Sequence, residues 1–350
     1  MCYFCNNQTI YSMSEERFAA LGKVEAIEKL YKGTPFQPFR VSRFNPSDKG
    51  SVLTVSRIFL EGIDFNLVYF PLKHLGYKSV TVATGDLYAK MGHPKVLSIV
   101  VGVSSKLDFE PVKTLWEGMV AAATEHGYQQ VSLDLVPSRN GLTISVSATG
   151  ETLHETYSNR PKAHSKDLIC VSGPLGAAYL GMQVLERGRQ RFEKEGGAQP
   201  DLEKYKMMVG AYLKPELSPA TVGLLEESGI LPSWGYLVDH GLADAVKRLV
   251  RDSGLGAKVY ADKIPFEGNS FLFGKEMDID PVSAAMNGGE DFRLLFTIPI
   301  LKLEQFRHDF QTFDIIGHLA QPEVGAVLVT PDGVEFPMKA QGWKNTTDTD

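Results

Sequence analysis

Two acidic side chains follow a pair of glycines in segment 287–292, whose sequence is Asn-Gly-Gly-Glu-Asp-Phe. Glycines allow a tight turn, so this segment is suited to holding Glu290 and Asp291 at a fixed place ahead of the apolar residues 294–296. Carboxylates held in this way can bind a substrate or a cation. The alternative is a hairpin turn in which both acids accept hydrogen bonds from nearby backbone amides.

Asp86 and Asp134 are acids in apolar surroundings, the first in Thr-Gly-Asp-Leu and the second in Ser-Leu-Asp-Leu at the end of a predicted strand. A lone buried carboxylate is unfavourable, so each must cap a helix, pair with a cation or bind a metal ion. Because the two acids lie on separate elements, they can also converge on one Mg²⁺, which proteins bind through a few carboxylates and substrate phosphates. A cap or a buried ion pair is the alternative for each.

Two further turns carry candidate residues. Gly173 and Gly176 bracket a Gly-Pro-Leu-Gly turn between a predicted strand and a predicted helix. Backbone amides there can bind a phosphate, although the turn matches no nucleotide-binding fingerprint and an ordinary strand–helix turn is the alternative. Asp239 and His240 precede another predicted helix, so Asp239 is either its N-cap or a ligand. His240 has no partner in the sequence that identifies it as a catalytic base.

The composition excludes several classes of protein. A chain of 350 residues predicts two domains, and a net charge of −6 without a basic stripe argues against nucleic-acid binding. No apolar run reaches the roughly 20 residues that a membrane span needs, and no secretory signal is evident, so we expect a cytoplasmic protein. Cys2, Cys5 and Cys170 form no disulfide framework, and a lone C-x-x-C without nearby histidines does not support zinc.

Hydrophobic periodicity favours a mixed α/β fold. Helices are predicted at 14–32, 72–87, 110–126, 177–187, 201–212, 218–228 and 241–253. Strands are predicted at 52–59, 96–103, 131–135, 142–149, 167–172, 257–261, 293–298, 313–319 and 326–330. A polar shift at 151–166 marks the domain boundary. We therefore expect an extension at 1–13, an N-terminal domain at 14–150 and a C-terminal domain at 151–350.

Several of these segments, in this order between residues 20 and 344, resemble the thiamine-monophosphate kinase family. That family shares a superfamily with aminoimidazole-ribonucleotide (AIR) synthase and selenophosphate synthetase. The resemblance is carried by 21–30 (the opening helix), 60–65 (similar to L-x-E-G-x-H-F), 84–92 (similar to N-x-S-D-x-x-A-M-G), 167–176 (the start of the second domain), 288–295 (similar to G-G-E-D-Y-E-L-L) and 342–343 (the closing G-W).

The resemblance implies an α/β (mixed α+β) chain with the two-domain AIR synthase-like fold. Its N-terminal domain would form a homodimer and supply the ATP and Mg²⁺ side, and ATP would bind in the cleft next to the C-terminal α/β domain. The implied reaction passes the γ-phosphoryl group of ATP to the small molecule thiamine monophosphate, giving thiamine diphosphate with Mg²⁺. No nucleic acid and no membrane is implied as a partner.

The resemblance also implies roles for particular residues. Asp86 and Asp134 are the expected Mg²⁺ ligands and, with Arg57 and His240, the expected catalytic residues. Expected contacts to the cofactor are Asp86, Asp134, Gly173, Gly176 and Asp239. Expected contacts to the substrate are Glu61, Asp64, Phe65, Glu290, Asp291, Phe292 and Trp343.

The sequence departs from the family at several acidic positions. The family's G-D-D motif has no counterpart near residues 43–45, and the aspartate of its T-T-D segment falls on Arg57. Its G-G-D-T-T motif retains only Asp134, and its S-D-G motif places His240 where a metal ligand is expected. Each unit charge pair at about 4 Å is worth on the order of 4 kcal/mol at an effective dielectric constant near 20, enough to abolish a multi-Mg²⁺ cluster.

Three hypotheses follow. The first is a thiamine-monophosphate kinase relative whose activity is retained, weakened or lost. The second is a non-catalytic ligand-binding or regulatory paralogue that keeps the fold. The third is another ATP-using reaction of the superfamily on a different small substrate. If the metal cluster is lost, Arg57 and His240 can contact phosphate directly and replace part of the charge of the metal, which gives binding without fast turnover.

Overall fold

The computed structural model describes residues 22–38, 41–47, 49–104, 106–195 and 202–340. The predicted extension 1–13 and Trp343 lie outside the described residues. The chain divides into two compact units, Met1–Asn159 with Met182–Glu227 and Arg160–Gly181 with Ser228–Asp350. The chain first passes between the units nine residues after the predicted boundary at 150 (159 − 150), and segment Met182–Glu227 then returns to the first unit.

The first unit is built around one mixed sheet. Its elements are α1 (Lys23–Tyr31), β1 (Ser51–Leu60), α2 (Leu72–Ala89), β2 (His93–Ser104), α3 (Phe109–Glu125), β3 (Gln130–Ser138), β4 (Thr143–Thr152), α4 (His154–Ser158), most of α5 (Ala177–Glu195), α6 (Lys206–Leu213) and α7 (Thr221–Glu227). In the described part of the chain the strands form a four-stranded sheet, here the N-terminal sheet, in the order β1-β4-β2-β3. The β2–β3 pair is parallel and the other pairs are antiparallel. Strands β3 and β4 follow each other in the chain but are not neighbours, because β2 lies between them.

The two faces of the N-terminal sheet differ in chemistry. Alternate residues of the four strands are apolar, buried and aligned across the sheet, and helix α2 packs against them; we call this the core face. Its buried residues are Phe59, Leu97, Ile99, Val101, Val131, Leu133, Leu135, Ile144, Val146 and Ala148. The opposite face, which we call the open face, carries hydroxyl pairs such as Thr54–Thr149 and exposed apolar side chains.

Helices α2 and α3 approach each other through two glycines. A Cβ atom on Gly76 would stand 2.0 Å from the carbonyl oxygen of Leu115, and a Cβ atom on Gly118 would stand 1.9 Å from that of Lys73. Each helix therefore presents a glycine to the backbone of the other. Glycine lowers helix propensity, but its missing side chain allows the two helices to pack closely.

The substitution Gly76→Ala is expected to destabilise the protein by about 1–3 kcal/mol or more, since the α3 backbone must move to admit the methyl group. Gly210→Ala is the matched control, because Gly210 lies within α6 and has nothing within 4 Å of a built Cβ. That control should leave stability unchanged or raise it by up to about 1 kcal/mol. Urea unfolding measures both, and a Gly76→Ala variant as stable as the parent would contradict the packing described.

A buried lysine fastens segment Met182–Glu227 to the first unit. Lys78 of α2 is 2 % exposed, and its Nζ donates to the Tyr212 carbonyl at 2.9 Å. The same nitrogen lies 4.0 Å from the centre of the Tyr212 ring and 5.3 Å from that of Phe70. A buried ammonium group needs such partners, so residues beyond the predicted boundary complete the first unit.

The second unit holds the other sheet. Its elements are β5 (Leu168–Val171), the start of α5, β6 (Trp234–Val238), α8 (Leu242–Ser253), β7 (Gly256–Tyr260), α9 (Ser270–Met277), α10 (Pro281–Asn287), β8 (Arg293–Ile298), α11 (Leu303–Asp309), β9 (Asp314–Ala320), β10 (Ala326–Val329) and β11 (Glu335–Pro337). The described strands order as β11-β10-β7-β9-β5-β8-β6, with β7 and β10 parallel and the other pairs antiparallel. The predicted mixed α/β class is confirmed. Elements α4, β6, α9, α10, α11 and β11 have no counterpart among the predicted ones.

Helix α8 anchors the part of the second unit that carries the predicted site residues. Its residues Leu242, Val246 and Leu249 are fully buried and pack in one cluster with Val238 and Leu295 of the sheet. Their spacing of four and three residues gives the helix one apolar side, which fixes its first turn against the end of β6. Across the described ranges, none of the helices combines the length and apolar character that crossing a membrane requires.

Candidate functional site

An ion pair joins β1 to α2 on the core face. The Nε and Nη2 atoms of Arg57 donate to Oδ2 of Asp86 at 2.7 and 2.6 Å. The two side chains are 22 % and 18 % exposed. Arg57 alternates along β1 with apolar residues of the core face, so its charge needs an acidic partner there. The carboxylate predicted to bind Mg²⁺ is thus engaged by a guanidinium group.

Asp134 lies on the other side of the sheet. Its neighbours Leu133 and Leu135 are buried on the core face, so the Asp134 side chain projects from the open face. Its Oδ1 accepts the Leu135 amide at 2.9 Å and forms an ion pair with Lys23 of α1. The structure therefore does not bring Asp86 and Asp134 together, because the sheet itself separates the two carboxylates.

The residues present do not fit the magnesium cluster that the sequence motifs imply. Mg²⁺ needs several oxygen ligands in near-octahedral geometry, and the two expected aspartates point to opposite faces of one sheet. Within ranges 22–38, 41–47, 49–104, 106–195 and 202–340, no group of three or more His, Cys, Asp or Glu side chains is placed to hold a metal ion.

The turn after β1 uses its acids internally. Glu61 accepts the Leu142 amide through Oε2 at 2.6 Å, and Asp64 accepts the Leu60 amide through Oδ2 at 2.7 Å. Phe65 is 2 % exposed and belongs to the core. These contacts shape the turn, and the predicted substrate contacts of the three residues stay predictions.

In the second unit, Asp291 occupies the N-terminus of helix α5. Its carboxylate accepts the amides of Gly176 at 2.8 Å and Ala178 at 3.3 Å, and the residue is 5 % exposed. A helix N-terminus favours anions and acceptor oxygens, and here the protein supplies the acceptor itself. The predicted phosphate turn and the predicted acidic residue are therefore brought together, but they bind each other. The ligand contacts predicted for Gly176 and Asp291 stay predictions.

The glycine–acid turn has an unusual backbone. Gly289, Glu290 and Phe292 have φ angles of 76°, 69° and 47°, of which only the first is a glycine. Amide hydrogen bonds from Glu290 to the Asp239 carbonyl (2.8 Å) and from Phe292 to the Val238 carbonyl (2.9 Å) hold this conformation. Left-handed non-glycine residues cost about 1–3 kcal/mol each and concentrate at functional turns. Phe292 is 5 % exposed, so its ring serves the core.

Asp239 is not the N-cap of α8, since Gly241 takes that position. Its Oδ1 instead accepts Nη2 of Arg248 at 2.8 Å, and its side chain is 5 % exposed. The His240 side chain is 75 % exposed, with its Nε2 3.8 Å from Oδ2 of Asp239. Arg248 was not predicted as a site residue, although its spacing of four from Asp244 on a helix was a visible signal.

A second arginine beside the glycine turns was also missed. A Cβ atom on Gly173 would lie 3.4 Å from Cζ of Arg293, and Gly173 has a φ angle of 135°. The guanidinium therefore lies directly over the glycine, whose missing side chain leaves room for it. Burial raises the pKa of Asp291, and the charge of Arg293 opposes part of that rise. Arg293 stands at the second glutamate of the G-G-E-D-Y-E-L-L pattern, so this change reverses a charge.

The Arg57–Asp86 pair can be tested by a double-mutant cycle. Arg57→Met is expected to destabilise the protein by about 1.5–3 kcal/mol, because Asp86 keeps a half-buried charge without this partner. Asp86→Leu in the same chain should recover part of the loss, since both charges are then absent. Urea unfolding gives the coupling energy. Arg251→Gln is the control, because the exposed Arg251–Asp252 pair should leave stability unchanged. Additive effects of the two core-face substitutions would contradict the pairing.

Asp291 predicts a pH dependence of stability. Burial raises the pKa of its carboxyl to about 7, although the Gly176 and Ala178 amides oppose the rise. An acid with a raised pKa contributes stability below its unfolded value of 3.8, which is lost as the pH rises through about 7. Asn resembles the neutral acid, so the parent and Asp291→Asn should be most similar at or below pH 3.8. As the pH rises from there to about 7, the parent should lose up to about 1.4 kcal/mol per pH unit relative to the variant.

Urea unfolding at several pH values measures the Asp291 effect. Asp280→Asn, at the exposed N-cap of α10, is the matched control for replacing an aspartate that accepts helix amides. A parent that gains stability over Asp291→Asn as the pH rises would show that the helix N-terminus outweighs burial.

Residues 41–152 match the family described as AIR synthase related protein, N-terminal domain. The thiamine-monophosphate kinase of Aquifex aeolicus is 24 % identical over 294 residues, which are 84 % of this chain and 88 % of that protein. The crystal structure of thiamine monophosphate kinase from Aquifex aeolicus superposes with a TM-score of 0.68 at 24 % identity, covering 92 % of this chain and 99 % of that one.

A further solved structure, AaThiL complexed with AMPPCP and TMP, superposes with a TM-score of 0.66 at 22 % identity. The superposition covers 90 % of this chain and 96 % of the chain in that structure. These likenesses extend over both units of the chain, so the two-domain AIR synthase-like fold is shared along its length.

Proposed function

Because the chain belongs to the thiamine-monophosphate kinase family of the AIR synthase superfamily, we propose that it binds thiamine monophosphate and ATP and transfers phosphate between them at a reduced rate. The alignment with a kinase of this name over 84 % of the chain supports the proposal. A likeness that includes both units favours the reaction of the whole enzyme over a function of one domain.

In the proposed reaction a phosphate oxygen of thiamine monophosphate attacks the γ-phosphorus of ATP. The bond from that phosphorus to the bridging β–γ oxygen breaks, and ADP leaves with the bond electrons. Catalysis of such a transfer consists of positioning the phosphates and neutralising their charge. The observation that carries the proposal is Arg57, a permanent cation whose planar fork matches phosphate and which Asp86 fixes in place.

The reduced rate follows from the pairing of Asp86 and Asp134 with basic side chains. A metal-dependent family site relies on clustered carboxylates, whereas Asp86 is paired with Arg57 and Asp134 with Lys23. Losing one electrostatic contact that acts in the transition state typically slows a reaction about 10²–10³-fold. A second candidate, a ligand-binding paralogue without turnover, is favoured by the placement of Asp86 and Asp134 on opposite faces of the sheet.

A paired assay tests the proposal. Chromatography should detect thiamine diphosphate made from ATP and thiamine monophosphate at least about 100-fold more slowly than by the Aquifex aeolicus kinase measured alongside. Calorimetry should detect binding of each ligand. Binding without product would select the paralogue, and the absence of binding by either ligand would contradict both candidates.

We also propose that the open face of the N-terminal sheet forms a homodimer. Apolar side chains of this face are exposed, including Ile58 at 57 % and Val100 at 39 %. Both are paired with Ser145, one on each side, so they lie in one row across the open face with a small hydroxyl residue between them. The cytoplasmic location expected from the sequence stays a prediction.

Ile58→Lys should convert the dimer to a monomer, because the partner's copy of the same face would have to bury an ammonium group. Ile63→Lys is the matched control, since Ile63 is 78 % exposed but lies in the turn after β1 and not on the open face. Light scattering after size exclusion gives the mass. A parent protein that runs as a monomer, or two variants that behave alike, would contradict this dimer.

A further inference from the structure

We infer that this chain binds its phosphate ligand without a divalent cation, because its own basic side chains already neutralise the carboxylates that would hold one. The inference rests on the proposed function for the identity of the ligand. It concerns the chemistry of the site, namely which positive charge meets the phosphate. Arg57 is the residue assigned to that task.

Asp86 is already held by Arg57. Two nitrogens of Arg57 converge on a single oxygen of this carboxylate, at 2.7 and 2.6 Å, and both side chains are mostly buried. A cation that coordinates Asp86 must either share the carboxylate with the guanidinium, which places two positive groups side by side, or displace the guanidinium into a weakly solvated place. Both outcomes are unfavourable, because like charges repel and a buried charge that loses its partner is poorly compensated.

Asp134 is held on the other face of the sheet. Its carboxylate is on the open face, where it accepts the Leu135 amide and pairs with Lys23. Asp86 is on the core face, so the β-sheet stands between the two acids. One ion cannot bind both side chains, and a single carboxylate is a weak Mg²⁺ site.

Two acids of the second unit are also engaged within the protein. Asp239 is bonded to Arg248, and Asp291 is bonded to the amides of Gly176 and Ala178. Asp239 was expected to contact the cofactor and Asp291 the substrate, and each is held by a cation or by backbone amides of its own unit. The second unit therefore holds these two acids in the same way as the first unit holds Asp86 and Asp134.

The guanidinium of Arg57 can supply the positive charge that a metal ion would otherwise bring to the phosphate. Arginine remains protonated at all relevant pH values and offers five N–H donors in a fixed plane. Asp86 orients that plane by gripping its Nε and Nη2 edge. A guanidinium held in this way can bind a phosphate with two hydrogen bonds, which suffices for affinity but delivers less charge than a cluster of Mg²⁺ ions. Metal-independent binding and slow transfer therefore have the same cause.

Two titrations test the inference on the full-length protein. Mn²⁺ alone, followed by electron paramagnetic resonance, should show no saturable binding to the parent chain. The affinities for thiamine monophosphate and for ATP, measured by calorimetry, should differ by less than about twofold between excess Mg²⁺ and EDTA. Arg57→Gln should weaken thiamine monophosphate binding by about tenfold or more, while the control Arg251→Gln should not.

Several outcomes would overturn the inference. Saturable Mn²⁺ binding by the parent that Asp86→Asn abolishes would show that Asp86 is a metal ligand. An affinity for either ligand that rises about tenfold with Mg²⁺ would do the same. If neither ligand binds, the proposed function fails, and the Mn²⁺ titration of the parent still decides whether its acids hold a metal. That titration needs no variant, so a misfolded Arg57→Gln does not block the test.

Discussion

The ion pair between Arg57 and Asp86 is the constraint on which the first unit depends. It is a pair of charges set into the apolar layer between the N-terminal sheet and helix α2. Removing either side chain would destabilise the folded protein, because the remaining charge is poorly hydrated. Asp86 can therefore meet a metal ion only by sharing its carboxylate with Arg57 or by giving up that partner. The ion pair thus ties α2 to β1 and limits the chemistry available to a ligand.

The second unit satisfies its acids in the same manner. Asp291 caps helix α5, and Asp239 joins the end of β6 to Arg248 of α8. Strained residues of the glycine turn donate amide hydrogen bonds to the carbonyls of Val238, at the end of β6, and of Asp239. The acids of this region act as structural connectors. The number of carboxylates in a motif is thus a poor guide to the number available to a ligand.

Most elements were predictable from local signals. The apolar stripe of α3 and its end at Gly127 gave that helix, and alternation gave β1 to β4. Short elements such as β6 and α10 escaped because each has fewer than eight residues and too few turns or alternations for a periodic signal. The return of Met182–Glu227 to the first unit depends on contacts such as that of Lys78 with Tyr212, more than a hundred residues apart. No local pattern encodes such a contact.

The site was less predictable than the fold, and two neglected signals explain part of the difference. Arg57 alternates with Val55 and Phe59 on β1, which places a charge on the core face and demands a buried acid. The same alternation of Leu133 and Leu135 sends Asp134 to the other face. Motif matching treated the two aspartates as equivalent. The alternation of side chains along β1 and β3, applied to Arg57 and to Asp134, would have placed the two aspartates on opposite faces of the sheet.

The central claim is that Arg57 holds Asp86 and keeps a metal ion from that carboxylate. Diffraction from a crystal soaked with Mn²⁺ and AMPPCP tests it most directly, since the anomalous signal of manganese locates each ion. The account predicts that the guanidinium of Arg57 stays on Asp86 and that no manganese peak lies within bonding distance of that carboxylate. A manganese ion coordinated by Asp86, with Arg57 turned away, would contradict it.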